Sequence, residues 1–192
     1  MRPPLNLRGH RFKPLIWEGL SPAQLVMVES VMSGKRGAMQ GPYNVLLRSP
    51  EVGNLAQQFG AHTRFNSSLP LALNELAILL VARFCSCQFV WWAHRRIAAD
   101  AGLDEALIKA IATGTPPQKM SVEMAAVYNF CHELLQTRQV VDASYAAVVE
   151  RFGEVGAVDL MATMSYYTLV SMSLNVDQYP LPDGAEPELY PL

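Results

Sequence analysis

Apolar residues recur at intervals of three and four along most of the chain, and capping or turn-forming residues separate the runs. The first run follows Ser21-Pro22 and ends at Gly34. Serine caps helix N-termini, proline suits the first helical position, and glycine ends helices. With Gln24 completing a capping box, the pattern predicts a helix over residues 22–33.

A second run begins at Ser49-Pro50, after a glycine-containing loop over residues 34–48. A loop of this length in a compact domain is often functional. The spacing of the run predicts a helix that buries four apolar side chains: Val52, Leu55, Ala56 and Phe59.

The mostly apolar stretch over residues 74–94 is expected to lie at the centre of the fold. The segment Ser67-Ser68-Leu69-Pro70 opens a helix that should run to about Phe84, and a break is expected at Cys85-Ser86-Cys87. A second helix is expected over residues 89–101. A run this apolar belongs in a core, because the free energy gained on burial scales with apolar area.

The remaining sequence is also helical in pattern. Three residues of capping type precede further apolar runs: Asp104, Ser121 and Asp142. Residues 154–174 carry few charges and are expected to form a nearly fully buried helix. The proline-containing residues 1–20 and 175–192 are expected to be extended arms. The sequence therefore predicts one all-α domain over residues 1–192, a compact helical bundle with extended N- and C-terminal arms.

Composition and charge exclude several classes of function. Hydrophobic residues make up 51% of the chain and charged residues 17%, which is typical of a globular protein. The net charge is −2 with no basic cluster, which argues against nucleic acid or an anionic membrane surface as a partner. No apolar run is long enough to span a bilayer. The three cysteines, without a visible export signal, predict reduced thiols in a cytoplasmic protein.

The central stretch carries a carboxylate and an imidazole that need partners, because lone buried polar groups are unfavourable. Glu75 and His94 are therefore expected to line one cavity within hydrogen-bond or one-water reach. Ala82 is small enough to leave room beneath Glu75 for a ligand. Val90 shares a helix face with His94, and Trp91 is expected to form a wall beside it. No set of residues has the type and spacing of metal ligands.

The residues of this region resemble the signature of the carboxymuconolactone decarboxylase family. The resemblance lies in residues 69–82, which include Glu75, and in residues 88–94, which end at His94. It continues through Ala98, Ala101-Gly102-Leu103 and Ile108, so that the core motif covers residues 69–114. The family also includes thiol enzymes of the alkylhydroperoxidase D type, whose motif is a glutamate, a Cys-x-x-Cys pair and a histidine.

The match to the thiol branch is partial. Glu75 and His94 keep its glutamate-to-histidine spacing, and Cys87 stands where it has its first cysteine. Val90 stands where it has its second cysteine, a position that is commonly glutamate in the decarboxylase-type pattern. Cys87 and His94 are about 10 Å apart along a helix axis, so direct contact is not expected. A position at a helix N-terminus is expected to lower the thiol pKa of Cys87.

The resemblance implies an all-helical protomer in a homo-oligomer, a trimer or hexamer, with the site near a subunit interface. It implies a carboxy-lyase without cofactor that acts on a small carboxylated or lactone-like molecule. His94 is expected to be the general acid/base, and Glu75 to orient it or to hold a proton itself. The expected substrate contacts are Trp91, Val90, Ala82 and Phe89. Two alternatives stay open, namely a thiol peroxidase that uses Cys87 with His94 and Glu75, and a non-catalytic binding or assembly protein on the same fold.

Overall fold

The computed structural model describes residues 3–190, which form an all-α fold, as the sequence predicts. These residues contain eight α-helices, one 3-10 turn at Trp17–Gly19 and no strand. The helices are α1 (Pro22–Ser33), α2 (Tyr43–Leu46), α3 (Pro50–Phe65), α4 (Leu71–Phe84), α5 (Gln88–Asp100), α6 (Glu105–Thr113), α7 (Val122–Thr137) and α8 (Asp142–Asp177). None of the helices in this part of the chain is both long and apolar enough to cross a membrane.

Helix α4 lies at the centre of the larger hydrophobic core because it is apolar on every side. All eleven residues from Leu73 to Arg83 are buried. Helices α5, α7 and α8 pack around α4, and α6 also contacts it. A helix that is hydrophobic all round is stable only when other elements surround it, so α4 sets the arrangement of its neighbours.

A smaller core lies between the N-terminal arm, α1, α2 and α3. Its buried side chains are Leu5, Met27, Val28, Val31, Met39, Tyr43, Leu46, Leu47 and Ala56. Helix α1 begins with the predicted capping box, in which Ser21 and Gln24 exchange side-chain-to-backbone hydrogen bonds. This box fixes the point at which the extended arm turns into the first helix.

Helix α3 buries a different face from the one that its apolar residues predict. Of the predicted stripe Ala56 is buried, whereas three larger side chains are 41–70% exposed: Val52, Leu55 and Phe59. The face turned inward carries glycines, because Gly53 lies against Met27 of α1 and Gly60 against Tyr166 of α8. Close packing of the Met27 and Tyr166 side chains on these glycines decides the orientation, and the buried-stripe prediction for α3 is wrong.

Helix α8 is long but broken at Gly153, whose φ of +68° lies outside the helical region. Beyond the break, the predicted near-complete burial of residues 154–174 is wrong. One face of this segment is apolar and exposed: Val155, Val158, Met161, Leu169, Met172 and Val176. Helix α8 also continues to Asp177, so the C-terminal arm begins after that residue rather than at Asn175.

Both arms lie on helices of their own protomer. A carboxylate oxygen of Asp177 accepts hydrogen bonds of 2.8–3.1 Å from three successive N–H groups of the N-terminal arm: His10, Arg11 and Phe12. The side chain of Gln88 holds the C-terminal arm through backbone groups of Glu188 and Leu189. The predicted arms include residues 1–2 and 191–192, which lie outside the described residues.

We expect Gly60→Ala to destabilise the protein, because the added methyl group would lie 2.0 Å from Cζ of Tyr166. Overpacking of this kind costs about 1–3 kcal/mol, which exceeds the gain of up to about 1 kcal/mol from alanine in a helix. The urea midpoint should fall. Gly19→Ala is the control, since no atom lies within 4 Å of a methyl group there. An unchanged midpoint for Gly60→Ala would contradict the close packing of α3 on α8.

Candidate active site

The connection between α4 and α5 turns the chain sharply and sets the two helices side by side. Helix α4 ends at Phe84, Ser86 adopts a left-handed φ of +49°, and α5 begins directly after Cys87. The backbone N–H of Cys87 donates to the carbonyl oxygen of Ala82 at 2.9 Å, which closes the turn. The predicted break at Cys85-Ser86-Cys87 is confirmed.

The turn brings Glu75 of α4 and His94 of α5 into direct contact. The distance between Oε2 of Glu75 and Nδ1 of His94 is 2.7 Å. Both residues are buried, with 1% and 5% of their surface exposed. A buried carboxylate and a buried imidazole each need a hydrogen-bond partner, and here each supplies the other's. The contact expected from the sequence is present, but the expectation that both residues line one cavity is wrong for Glu75, which is not a lining residue of the cavity beside His94. The catalytic role of either residue stays a prediction.

Asn74, the neighbour of Glu75, fixes α4 against two other helices. Its side-chain N–H donates to the carbonyl oxygen of Thr63 in α3 at 3.0 Å, and its oxygen accepts from the hydroxyl of Thr163 in α8 at 2.8 Å. All three residues are buried. A buried polar network with its partners in place is rigid, so Glu75 projects from a fixed segment.

His94 lines a cavity and keeps one ring nitrogen available there. Its Nδ1 is hydrogen-bonded to Glu75, while Nε2 makes no hydrogen bond within residues 3–190. Tyr167 packs edge-on against the imidazole, with the ring centroids 4.8 Å apart. As a carboxylate, Glu75 can only accept, so Nδ1 carries a hydrogen in both forms of the ring, and Nε2 has a lone pair in the neutral ring and a proton in the charged ring. This nitrogen can therefore exchange a proton with a molecule in the cavity.

The cavity has a volume of about 1040 Å³ and lies between α5, α8, the end of α3 and the loop before α2. Its aromatic lining residues are Tyr43, Phe65, Phe89, Trp92, Tyr166 and Tyr167. Its charged lining residues are Lys35, Arg36, Arg64, Arg95, Arg96, Asp100, Glu105 and Glu188. A cavity of this size and lining can hold a small organic molecule. Across the described chain, no cluster of three or more His, Cys, Asp or Glu residues is arranged to hold a metal ion.

Comparison with known families agrees with this region of the structure. Residues 50–129 match the model of the carboxymuconolactone decarboxylase family. Over this segment the chain is similar to that family. The segment starts with α3, ends within α7 and contains the whole α4–α5 hairpin, including Glu75 and His94. A search of curated proteins gave no match to the chain.

Of the four predicted substrate contacts, Val90 and Phe89 line the cavity, whereas Ala82 and Trp91 do not. Ala82 is fully buried, because α4 is enclosed on all sides. Trp91 faces another side of α5, where it lines a smaller groove and its indole N–H donates to the C-terminal arm. Successive helical residues point about 100° apart, so Trp92 forms the wall that was predicted for Trp91.

The thiol of Cys87 is also placed apart from the cavity. Cys87 is buried and does not line the cavity that His94 lines. Burial raises the pKa of its thiol, and the backbone N–H groups at the start of α5 offset only part of that rise. The predicted lowering of this pKa is therefore wrong. Burial also raises the pKa of the Cys85 thiol, so neither residue is a ready nucleophile at neutral pH.

Sequence reasoning missed four residues that shape the cavity: Arg36, Arg64, Tyr166 and Tyr167. They come from the loop before α2, from α3 and from α8, and only the fold brings them beside the α4–α5 hairpin. The length and glycine content of the loop over residues 34–48 pointed to that segment as functional. No local spacing singled out an individual side chain.

Proposed function

We propose that this chain is an enzyme that performs general acid/base chemistry on a small carboxylated or lactone-like molecule. The proposed reaction is a decarboxylation or a related lyase or isomerase step. The observation that carries the proposal is the 2.7 Å contact between Glu75 and His94 at the wall of the cavity. Imidazole is the side chain best suited to exchange protons near neutral pH, and a buried carboxylate can hold it in one orientation.

In the proposed step, the bond between the substrate carbon and its carboxylate breaks, and carbon dioxide leaves. The electron pair stays on the carbon and is delocalised into an adjacent carbonyl or lactone group. The protonated imidazole of His94 delivers its Nε2 proton to that carbon, and Glu75 stabilises the positive charge of the ring through Nδ1. The step uses only these protein groups and the substrate, and His94 regains its proton from solvent.

The surroundings of the imidazole support this role. Tyr167 packs edge-on against His94, and Val90 lies one helical turn before it on the same wall. These contacts restrict rotation of the imidazole about its side-chain bonds. Fixed polar groups in an apolar setting stabilise a developing charge more strongly than water does, because little reorganisation is needed.

The thiol peroxidase alternative has less support. Cys87 does not line the cavity, its thiol pKa is raised by burial, and Val90 occupies the position of the second cysteine of the thiol branch. All three cysteines of the chain are free: Cys85, Cys87 and Cys131. Free thiols persist in a reducing compartment, which supports the proposal that the protein is cytoplasmic.

Turnover should be assayed with carboxymuconolactone and a panel of small unsaturated or lactone-type carboxylic acids, with carbon dioxide release as the readout. We expect His94→Gln to lower kcat/KM by about 100-fold or more, because the amide cannot transfer a proton. His132→Gln is the matched control, since His132 is exposed on α7 and does not line the cavity. Cys87→Ser should retain most of the turnover.

Three results would contradict the acid/base proposal. If a folded His94→Gln protein turned over substrate at the wild-type rate, His94 would have no catalytic role and would be a packing residue of the core. Loss of activity in Cys87→Ser, together with rapid hydroperoxide reduction by a dithiol donor, would favour the thiol enzyme. Tight binding of panel members without any turnover would favour a non-catalytic binding protein.

We also propose that the protein is a homo-oligomer, a trimer or hexamer, because two apolar faces are exposed on the protomer. One face lies on α3 and comprises Val52, Leu55 and Phe59. The other runs along α8 and comprises Val155, Val158, Met161, Leu169, Met172 and Val176. Monomeric proteins rarely expose large contiguous apolar patches, so another copy of the chain is the proposed cover.

Light scattering at micromolar concentration should report the mass of a trimer or larger assembly. Leu55→Asp should shift the protein to smaller species with its helical content unchanged, because Leu55 is 70% exposed in the protomer and contributes little to the core. Glu51→Gln, an exposed change on the same helix, is the control. A monomeric wild-type protein would contradict the proposed assembly.

A further inference from the structure

One part of the cavity wall carries positive charge that no carboxylate of residues 3–190 neutralises. The unpaired cations are Lys35, Arg36 and Arg64. The other two cations of the wall are paired, since Arg95 contacts Glu188 at 3.0 Å and Glu105 at 3.3 Å, and Arg96 contacts Asp100 at 3.7 Å. The net positive charge of the cavity therefore comes from the segment that joins α1 to α2 and from the end of α3.

The three unpaired cations converge on the ring of Phe65. The distances from its centroid are 5.8 Å to Nζ of Lys35, 5.9 Å to Cζ of Arg36 and 5.3 Å to Cζ of Arg64. The face of an aromatic ring attracts cations, but like charges this close also repel one another. An anion bound among them would relieve that repulsion, and guanidinium groups are well shaped to bind one.

Arg36 is held in place before any ligand arrives. One of its terminal nitrogens donates to the carbonyl oxygen of Gln57 at 3.0 Å, and the other donates to the hydroxyl of Tyr166 at 3.2 Å. Its guanidinium also lies over the rings of Tyr43 and Tyr166, at 5.7 and 5.8 Å from their centroids. A guanidinium has five N–H donors, so these two hydrogen bonds leave others for a ligand.

Two tyrosines connect this cluster of cations to the imidazole. Tyr166, which accepts from Arg36, packs edge-on against Tyr167 with centroids 5.3 Å apart, and Tyr167 packs in the same way against His94 at 4.8 Å. Burial raises the pKa of the Tyr167 hydroxyl, and the charges of Arg64 and Arg36 offset part of that rise. The positive field therefore reaches the residue that packs on His94.

We propose that Arg36 and Arg64, assisted by the exposed Lys35, form an anion subsite that binds a carboxylate of the substrate. The planar, unsaturated body of that substrate would lie along the aromatic wall towards His94. This inference rests on the proposed function and names its substrate class: a planar carboxylic acid anchored by a carboxylate away from the atom that receives the proton. Phe89 lines the same wall and contributes a flat apolar surface.

Benzoate and benzamide are the probes, because they have almost the same shape and differ in charge. In titrations followed by NMR, full-length protein should bind benzoate at least about tenfold more tightly than benzamide, and added salt should reduce the difference. Arg36→Met and Arg64→Met should each weaken benzoate binding about tenfold and leave benzamide binding unchanged. Arg96→Met is the matched control, since Arg96 lines the same cavity but its side chain is 90% exposed.

Equal affinity of the wild-type protein for the two probes would overturn the subsite, as would unchanged benzoate binding in both arginine variants. If Arg36→Met lowers thermal stability, Arg64→Met decides the question, because Arg64 makes no hydrogen bond within the described chain. Binding of the two probes and release of carbon dioxide are separate readouts. Charge-selective binding without turnover would contradict the proposed function and support the anion subsite. Turnover without charge-selective binding would support the proposed function and contradict the subsite.

Discussion

The interior of this protein contains a glutamate, and a buried carboxylate is tolerated only where a partner meets it. The 2.7 Å contact between Glu75 and His94 supplies that partner and joins α4 to α5 at the centre of the larger core. The turn at Cys85-Ser86-Cys87 and the polar network of Asn74 keep the two side chains at this separation. Changes to the turn or to the network would therefore disturb the contact first.

The charges of the cavity follow from how the arms and loops surround this contact. The C-terminal arm places Glu188 against Arg95, which neutralises that cation. The loop before α2 and the end of α3 bring in Arg36 and Arg64, which no carboxylate of the described chain pairs. The resulting cavity has a proton-exchanging imidazole, an aromatic wall and a cluster of unpaired cations. The aromatic wall and the cations suit a planar anion, and the imidazole suits proton transfer to it.

The helices and the central contact could be predicted because their causes are local in sequence. Capping residues mark helix starts, and the separation of Glu75 from His94 fits two helices that pack side by side after a break. The face of α3 could not be predicted, because close packing of glycines on α1 and α8 turns Leu55 outward. The place of Arg36 and Arg64 in the cavity could not be predicted either, because they lie in separate segments of the chain that meet only in the folded protein.

The orientation of the His94 ring relative to Glu75 is the feature on which the mechanism depends. It can be measured directly by nitrogen-15 NMR of the histidine side chains, with His94→Gln used to assign the signals. The neutral ring should carry its hydrogen on Nδ1, next to Glu75, and Nε2 should show the chemical shift of an unprotonated nitrogen. A neutral His94 with its hydrogen on Nε2 would contradict the account, because Nδ1 would then carry no hydrogen to donate to Glu75, and the carboxylate could not orient the ring.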